Sequence, residues 1–373
     1  MSSPKQELPT HTQVLTVQKA RTAAGGKSVY PNDAVLETKP VPKLGKGYVL
    51  VKINAAGFNH RDLWIRKGQY PSIIHGSTFG ADGAGVVIAS GDENDPLVNK
   101  RVFLVPTRGW ENDPYAPESP KFTILGGGGF MSPLGTFAQY VVVERDQVIP
   151  SPDHLDDEHI SAWPVGGVTA WRAVVINALV KKGDNVLITG IGGGVALIAL
   201  QLCVALGANV YVSSGNEEKI RKAVSLGAKG GVNYKADDWS SELEALLRKQ
   251  QGPTAALSAI IDSGGGDLMT RLGRLLKSGG RVVVYGMTAN PKMTFTMREV
   301  LKNQQLIGST MGSHKDLIEA TEFLAEHKIV PVVSHILDGL EAAEEGFDLI
   351  ARGEQFGKVV IRVKHATTVP AKL

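Results

Sequence analysis

From about Val14 to Val148 the apolar positions fall in short runs, VLVKINAAGF, GAGVVIA, RVFLVP and TFAQYVVV, broken by Gly, Pro and Asn. Such spacing predicts a mainly β domain. Between the last two runs lies TRGWENDPYAPESPKFTILGGGGFMSPLG, a long Pro- and Gly-rich loop of the kind that carries function or moves. Its glycines, Gly126 to Gly129, have no preceding strand, following helix or Lys-Ser/Thr, so they read as loop and not as a phosphate cradle.

After SPDHLDDEHISAWPVGGVTAWRAVV the pattern changes. VLITG is followed by the helical VALIALQLCVALG, then NVYVSS, EEKIRKAVSLG, GGVNY, SSELEALLRKQ, AALSAIIDSGG, MTRLGRLLKSGG and RVVVYG. Strands alternating with helices predict parallel βαβ units in a doubly wound sheet. From about Lys315 the chain returns through DLIEATEFLAEHKI, EAAEEGFDLIARG and GKVVIRV. The reading is an α/β protein: a substrate domain over 1–160, completed by 316–373, and a cofactor domain over 161–315.

Val186 to Asn216 contains no Asp, Glu, Lys or Arg and is long enough to span a bilayer. Its glycines argue against one helix: Gly190, Gly192, Gly193 and Gly194 would each weaken it by roughly 1 kcal/mol relative to Ala. They favour a turn between strand and helix, where backbone N–H groups and the helix dipole stabilise a pyrophosphate. Gly190 and Gly192 fit G-x-G-x-x-G, while Val195 stands at its third glycine. The second strand ends at Ser213 and Ser214, where an NAD-preferring fold carries an acid. Small hydroxyls and the nearby Lys219 leave room and charge for a 2′-phosphate, which favours NADP(H); Lys219 also reads as a solvated first-turn residue.

Composition adds exclusions. The chain has 373 residues, 43% hydrophobic and 21% charged, with a formal net charge of +3 and mean hydropathy −0.03. These values describe a soluble globular chain, and its scattered cations imply no nucleic acid. The single cysteine, Cys203, lies in an apolar run and reads as a buried thiol. The polar amino terminus resembles neither a secretory signal nor a mitochondrial presequence. The final Ala371, Lys372 and Leu373 resemble a peroxisomal address read by an import receptor, with a cytoplasmic location as the alternative.

GFNHRDLWIRKGQYP, FGADGAGVV, GTFAQYVVV, GGVTAWRAV, VLITGIGGGVA, LGAKGGVNY, IDSGGG, LLKSGGRVVVYG, IGSTMGS and QFGKVVI carry a resemblance over nearly the whole length. In this order they are similar to a medium-chain dehydrogenase/reductase, of the zinc-independent quinone oxidoreductase-like branch. The resemblance implies a GroES-like, mostly β substrate domain, a Rossmann domain, an active site between them and a homodimer built through the Rossmann sheet. It implies Thr169 at the nicotinamide, with Gly193, Gly194 and Val195 at the pyrophosphate. Ser214, Lys219 and Tyr234 fall at the adenosine end. Ser263, Gly286, Met287 and Ser309 line the cofactor groove, and Lys358 its far rim.

Zinc-dependent members place a catalytic Cys where this chain has Asn59 and a His where it has Ala81. Their structural lobe uses four cysteines, and the stretch from Gly109 to Met131 has none. Neither tetrahedral site can be assembled, so the expectation is no zinc. Without that Lewis acid, hydride transfer from NADPH to a quinone, enone or enal needs less help than alcohol oxidation. Asn59 and Asp62 match the family's N-x-x-D motif. Trp64 stands where related reductases place a Tyr, and Tyr70 is the nearest phenol; the alternative has Trp64 in the core and Tyr70 covering the loop. His60-Arg61-Asp62 spells a kinase triplet without its surroundings, a coincidence. Two further readings are an NADP(H)-binding sensor or scaffold with little turnover, and an alcohol or carbonyl dehydrogenase.

Overall fold

Two strands, β1 (His11–Lys19) and β2 (Asn32–Pro40), pair antiparallel along their full length. The computed structural model describes residues 7–20, 30–128, 134–286 and 288–365; Met287 and the terminal Ala371, Lys372 and Leu373 lie outside them. The chain then enters β3 (Tyr48–Gly57), helix α1 (His60–Arg66), β4 (Asp82–Ser90), β5 (Arg101–Leu104), β6 (Tyr140–Glu144) and β7 (Val148–Pro150). One edge of β3 pairs with β4. Its other edge is shared between β6 and the chain's last strand. Alternate residues of β6 are buried, as the period of a half-covered strand requires, while β3, paired on both edges, is buried along most of its length. They pack on an aromatic group in which Phe58 meets Phe137 and Phe347 edge-on, at 4.7 and 5.2 Å.

Helix α2 (Pro164–Trp171) and a six-residue π-turn, Arg172–Asn177, lead into the alternating part. There β8 (Asn185–Ile188), α3 (Gly194–Ala205), β9 (Asn209–Ser214), α4 (Glu217–Ser225), β10 (Gly230–Asn233), α5 (Trp239–Gln251), β11 (Leu257–Asp262), β12 (Leu276–Val284), α6 (Met297–Leu301) and β13 (Gln305–Gly308) follow in sequence. The six strands lie in the order β10-β9-β8-β11-β12-β13. Every pair is parallel, the doubly wound arrangement in which the chain switches sides next to β8. The uncharged Val186–Asn216 stretch is strand, turn, buried helix and strand, and no described helix is long and apolar enough to cross a membrane.

Helix α7 (His314–Glu326), β14 (Val333–Asp338), α8 (Ala343–Arg352) and β15 (Lys358–Arg362) complete the chain. Two compact units result, Met1–Val165 with Val333–Leu373, and Gly166–Val332. Both boundaries differ from the expected ones. The first unit keeps the chain to Val165, whose N–H donates to Asp82 at 2.8 Å. The return comes at Val333 and not at 316, because α7 belongs to the second unit. The buried Arg172–Asp316 pair, at 2.9 Å, and Trp171 against Phe323 hold it there.

Candidate active site

In the second unit the chain leaves β8 through Thr189 and turns sharply. Gly190 sits at φ +64° and Gly192 at φ +126°, left-handed regions that a side chain opposes. Gly193 precedes α3 with no side-chain cap, so the first N–H groups of a 12-residue helix lack a side-chain acceptor. A Cβ built at Gly193 would find only Gly190 O, at 3.8 Å. Gly193 is exposed, and Gly194 and Val195 are half-buried. An open, uncapped cradle of glycines suits a pyrophosphate.

The residues expected at the adenosine end lie around it. A Cβ at Gly192 would meet Lys219 Cδ at 2.8 Å and Nζ at 3.3 Å, so the Lys219 side chain runs alongside the turn. Ser213 and Ser214 are buried at the end of β9, and Asn216 caps α4 by accepting from the Glu218 and Lys219 N–H groups. A Cβ at Gly215 would meet Tyr234 Oη at 2.9 Å and Lys235 Cε at 2.7 Å. Lys235 thus joins the predicted residues. Its signal was its place beside Tyr234, just past the strand end at Asn233.

Ser263, Gly190 and Gly286 come together. A Cβ at Gly190 would lie 3.1 Å from Ser263 Oγ, and one at Gly286 3.5 Å from Ser263 O. Asp262 anchors this corner, accepting from Thr189 Oγ1 at 2.5 Å and the Gly265 N–H at 2.7 Å. Thr169 directs its hydroxyl to Met311 Sδ at 3.7 Å. Ser309 accepts from Asn177 Nδ2 at 3.0 Å.

Lys358 belongs to the first unit, buried on β15, where its Nζ donates to Asn59 Oδ1 at 2.7 Å and Asp82 Oδ2 at 2.8 Å. Asn59 Nδ2 donates to the same Asp82 oxygen at 2.9 Å, closing a three-membered ring of hydrogen bonds. A glycine permits the assembly: a Cβ at Gly57 would fall 2.5 Å from Ser161 O and 3.3 Å from Asp82 Cβ.

Asn59 ends the extended backbone before α1, and its N–H donates to Asp62 Oδ2 at 2.8 Å. Burial pushes the Asp62 carboxyl up to about 6, against the opposing pull of Arg61, the Asn59 N–H and Lys358. Asp62 Oδ1 and Arg61 Nε are buried without a hydrogen-bond partner. The Arg61 guanidinium lies 4.6 Å from the Tyr70 ring centroid, and Tyr70 packs on the first unit's core. Trp64 is half-buried between His60 and Lys67.

Residues 45–153 match the alcohol dehydrogenase GroES-like domain family and 194–326 the zinc-binding dehydrogenase family. The chain is 40% identical over 356 residues to the zinc-type alcohol dehydrogenase-like protein YogA of Leptosphaeria maculans, covering 92% of this chain and 98% of that one. The chain belongs to the medium-chain dehydrogenase/reductase superfamily. It is therefore an oxidoreductase built from a GroES-like domain and a Rossmann domain. An alcohol dehydrogenase of Geobacillus stearothermophilus is 30% identical over 348 residues, covering 88% of this chain and 96% of that one. Among solved structures, an NAD-dependent alcohol dehydrogenase matches at 31% identity and TM-score 0.81, over 94% of this chain and all of that one. A crotonyl-CoA carboxylase/reductase in complex with NADP shares the fold at 23% identity and TM-score 0.82, over 97% of each chain.

The superfamily name zinc-binding does not describe these donors. Asn59 offers a neutral amide whose oxygen is already bonded to an ammonium, and Ala81 offers nothing. Cys203 is buried in α3, where burial raises its thiol far above the ordinary range. Among the described residues no group of three or more His, Cys, Asp or Glu could hold a metal ion. Neither Asn59 nor Ala81 supplies the His or Cys donor that zinc takes at these two positions.

Proposed function

We propose that the protein is an NADPH-dependent reductase that transfers hydride to a quinone, enone or enal without zinc. The observation that carries the reading is the Lys358 ammonium bonded to Asn59 and Asp82, a built-in cation beside the position where zinc-dependent relatives place a metal ligand. A conjugated acceptor delocalises incoming charge and is reducible with hydrogen-bond donors alone. Bound at the glycine turn, NADPH supplies the hydride. The turn and the α3 N-terminus bind its pyrophosphate. Thr169, Ser263, Gly286 and Ser309 orient the nicotinamide end. Ser213, Ser214, Lys219, Tyr234 and Lys235 receive the 2′-phosphate, and no acid stands at the end of β9 to repel it. Asn59 contacts the acceptor, and Asp62, buried behind it and with its carboxyl near 6, can hold a proton close to neutral pH.

The test is NADPH fluorescence titration followed by a panel of quinones, enones, enals and alcohols. Oxidation of NADPH by the conjugated acceptors is expected. Turnover confined to alcohols with NADP+ would favour the alcohol dehydrogenase reading suggested by the relatives' names, and binding without turnover a sensor. Ser214→Asp is expected to weaken NADPH at least tenfold relative to NADH, because the new carboxylate meets the 2′-phosphate. Unchanged relative affinity would contradict the 2′-phosphate placement.

We also propose a homodimer through the Rossmann sheet. Strand β13 ends the sheet and leaves one edge unpaired. Near it in sequence, Met297 is 64%, Val300 50% and Leu301 77% exposed, and exposed apolar groups at an open edge are the ordinary mark of a covered face. Leu301→Asp is expected to halve the mass measured by light scattering; a monomeric wild type would refute the proposal.

A further inference from the structure

Asn59 can present its side-chain amide in two orientations related by a flip. One places Oδ1 toward the Lys358 ammonium and Nδ2 toward the Asp82 carboxylate, and this is the orientation found. The flipped one would put two donors against each other and two acceptors against each other. Each bond lost is charge-assisted, the strong class. Lys358 and Asp82 are buried and bond each other as well. Asp82 is itself fixed, its Oδ1 accepting the Val165 N–H and its backbone oxygen the Thr136 hydroxyl. The ring leaves Asn59 one Nδ2 hydrogen to which the structure gives no partner.

We infer that Lys358 is a positioning residue, acting with Asp82 to lock the Asn59 amide so that its second N–H is held ready to donate to the oxygen of the acceptor. The inference rests on the proposed reduction of a conjugated carbonyl. In that reaction hydride adds to the β-carbon, the C=C π electrons move toward the carbonyl oxygen, and a proton completes the product. The charge that builds on oxygen is what a preorganised donor stabilises. Lys358 need not touch cofactor or acceptor: its ammonium is spent on Asn59 and Asp82. This differs from the cofactor-rim position implied by family resemblance, and the two assignments separate in kinetics.

Asn59→Ala is expected to lower kcat about 100-fold, the usual cost of removing one oxyanion donor, with KM for NADPH unchanged. Lys358→Met should lower kcat at least about tenfold with KM for NADPH again unchanged, and Lys358→Arg should restore part of the loss, since a guanidinium can also donate to both oxygens. Combined with Asn59→Ala, Lys358→Met should add nothing, because residues that act as one unit are not additive. A rise in KM for NADPH with kcat intact, or additive losses, overturns the inference. Should Lys358→Met not fold, the paired Lys358→Met, Asp82→Asn variant leaves no buried charge unpaired and replaces it, with the same expectations.

The side-chain amide resonances of Asn59 give a readout independent of turnover, assigned by their loss in Asn59→Ala. They should move in Lys358→Met and return toward their place in Lys358→Arg. Resonances unmoved in Lys358→Met overturn the lock even in an active enzyme. A wild type inert toward every acceptor, with the resonances behaving as stated, would instead refute the reductase reading and leave the lock standing.

Discussion

Gly192→Ala is expected to weaken NADPH binding by about 30-fold or more. The residue sits at φ +126°, where an alanine pays strain of order 1–3 kcal/mol. The added methyl would also fall 2.8 Å from Lys219 Cδ, so the lysine must leave the turn it runs beside. Both effects strike the phosphates, one by moving the N–H groups and the other by displacing the cation. The rest of the Rossmann unit is untouched, and its helical circular dichroism should not change. Fluorescence titration with NADPH checks the binding, and an affinity within twofold of wild type would show that the turn does not hold the pyrophosphate.

The second large effect concerns stability. Asp82→Ala is expected to destabilise the GroES-like unit by about 3–5 kcal/mol, the usual cost of leaving a buried charge without its partner. The carboxylate accepts from Val165 N–H, Asn59 Nδ2 and Lys358 Nζ, so its removal strands an ammonium and two N–H donors in the interior. Adding Lys358→Met to Asp82→Ala should recover much of the loss, since the stranded charge disappears with it. Urea unfolding followed by fluorescence measures both. A loss below 1 kcal/mol for Asp82→Ala would mean that water reaches Lys358 and that the cluster is not a dry lock.

Much of this was legible before the structure. The glycines in the uncharged stretch announced a turn between β8 and α3 because no continuous helix would tolerate them together, and the alternation after residue 161 announced the parallel sheet. Ser213, Ser214 and Lys219 were findable because one βαβ unit brings them to the turn. Lys358 was assigned by resemblance alone, without its partners, and Asp82 was missed. Their bond joins residues 276 positions apart, and the Lys358–Asn59 bond spans 299. No local pattern announces such contacts; they follow from β15 lying antiparallel on β3 and β3 on β4. The return to the first unit at Val333 was hidden for a similar reason. An amphipathic helix such as α7 does not declare its side, and the contacts that assign it, the buried Arg172–Asp316 bond and Trp171 against Phe323, join residues 144 and 152 positions apart.

Hydride transfer to carbon is the central claim, and isotope transfer tests it most directly. NADPH carrying deuterium at nicotinamide C4, in either configuration, is incubated with the protein and an enone, and the product is read by NMR. From one of the two labelled cofactors, a single deuterium at the β-carbon is the predicted result; deuterium at the carbonyl carbon, or unlabelled product from both, would contradict it.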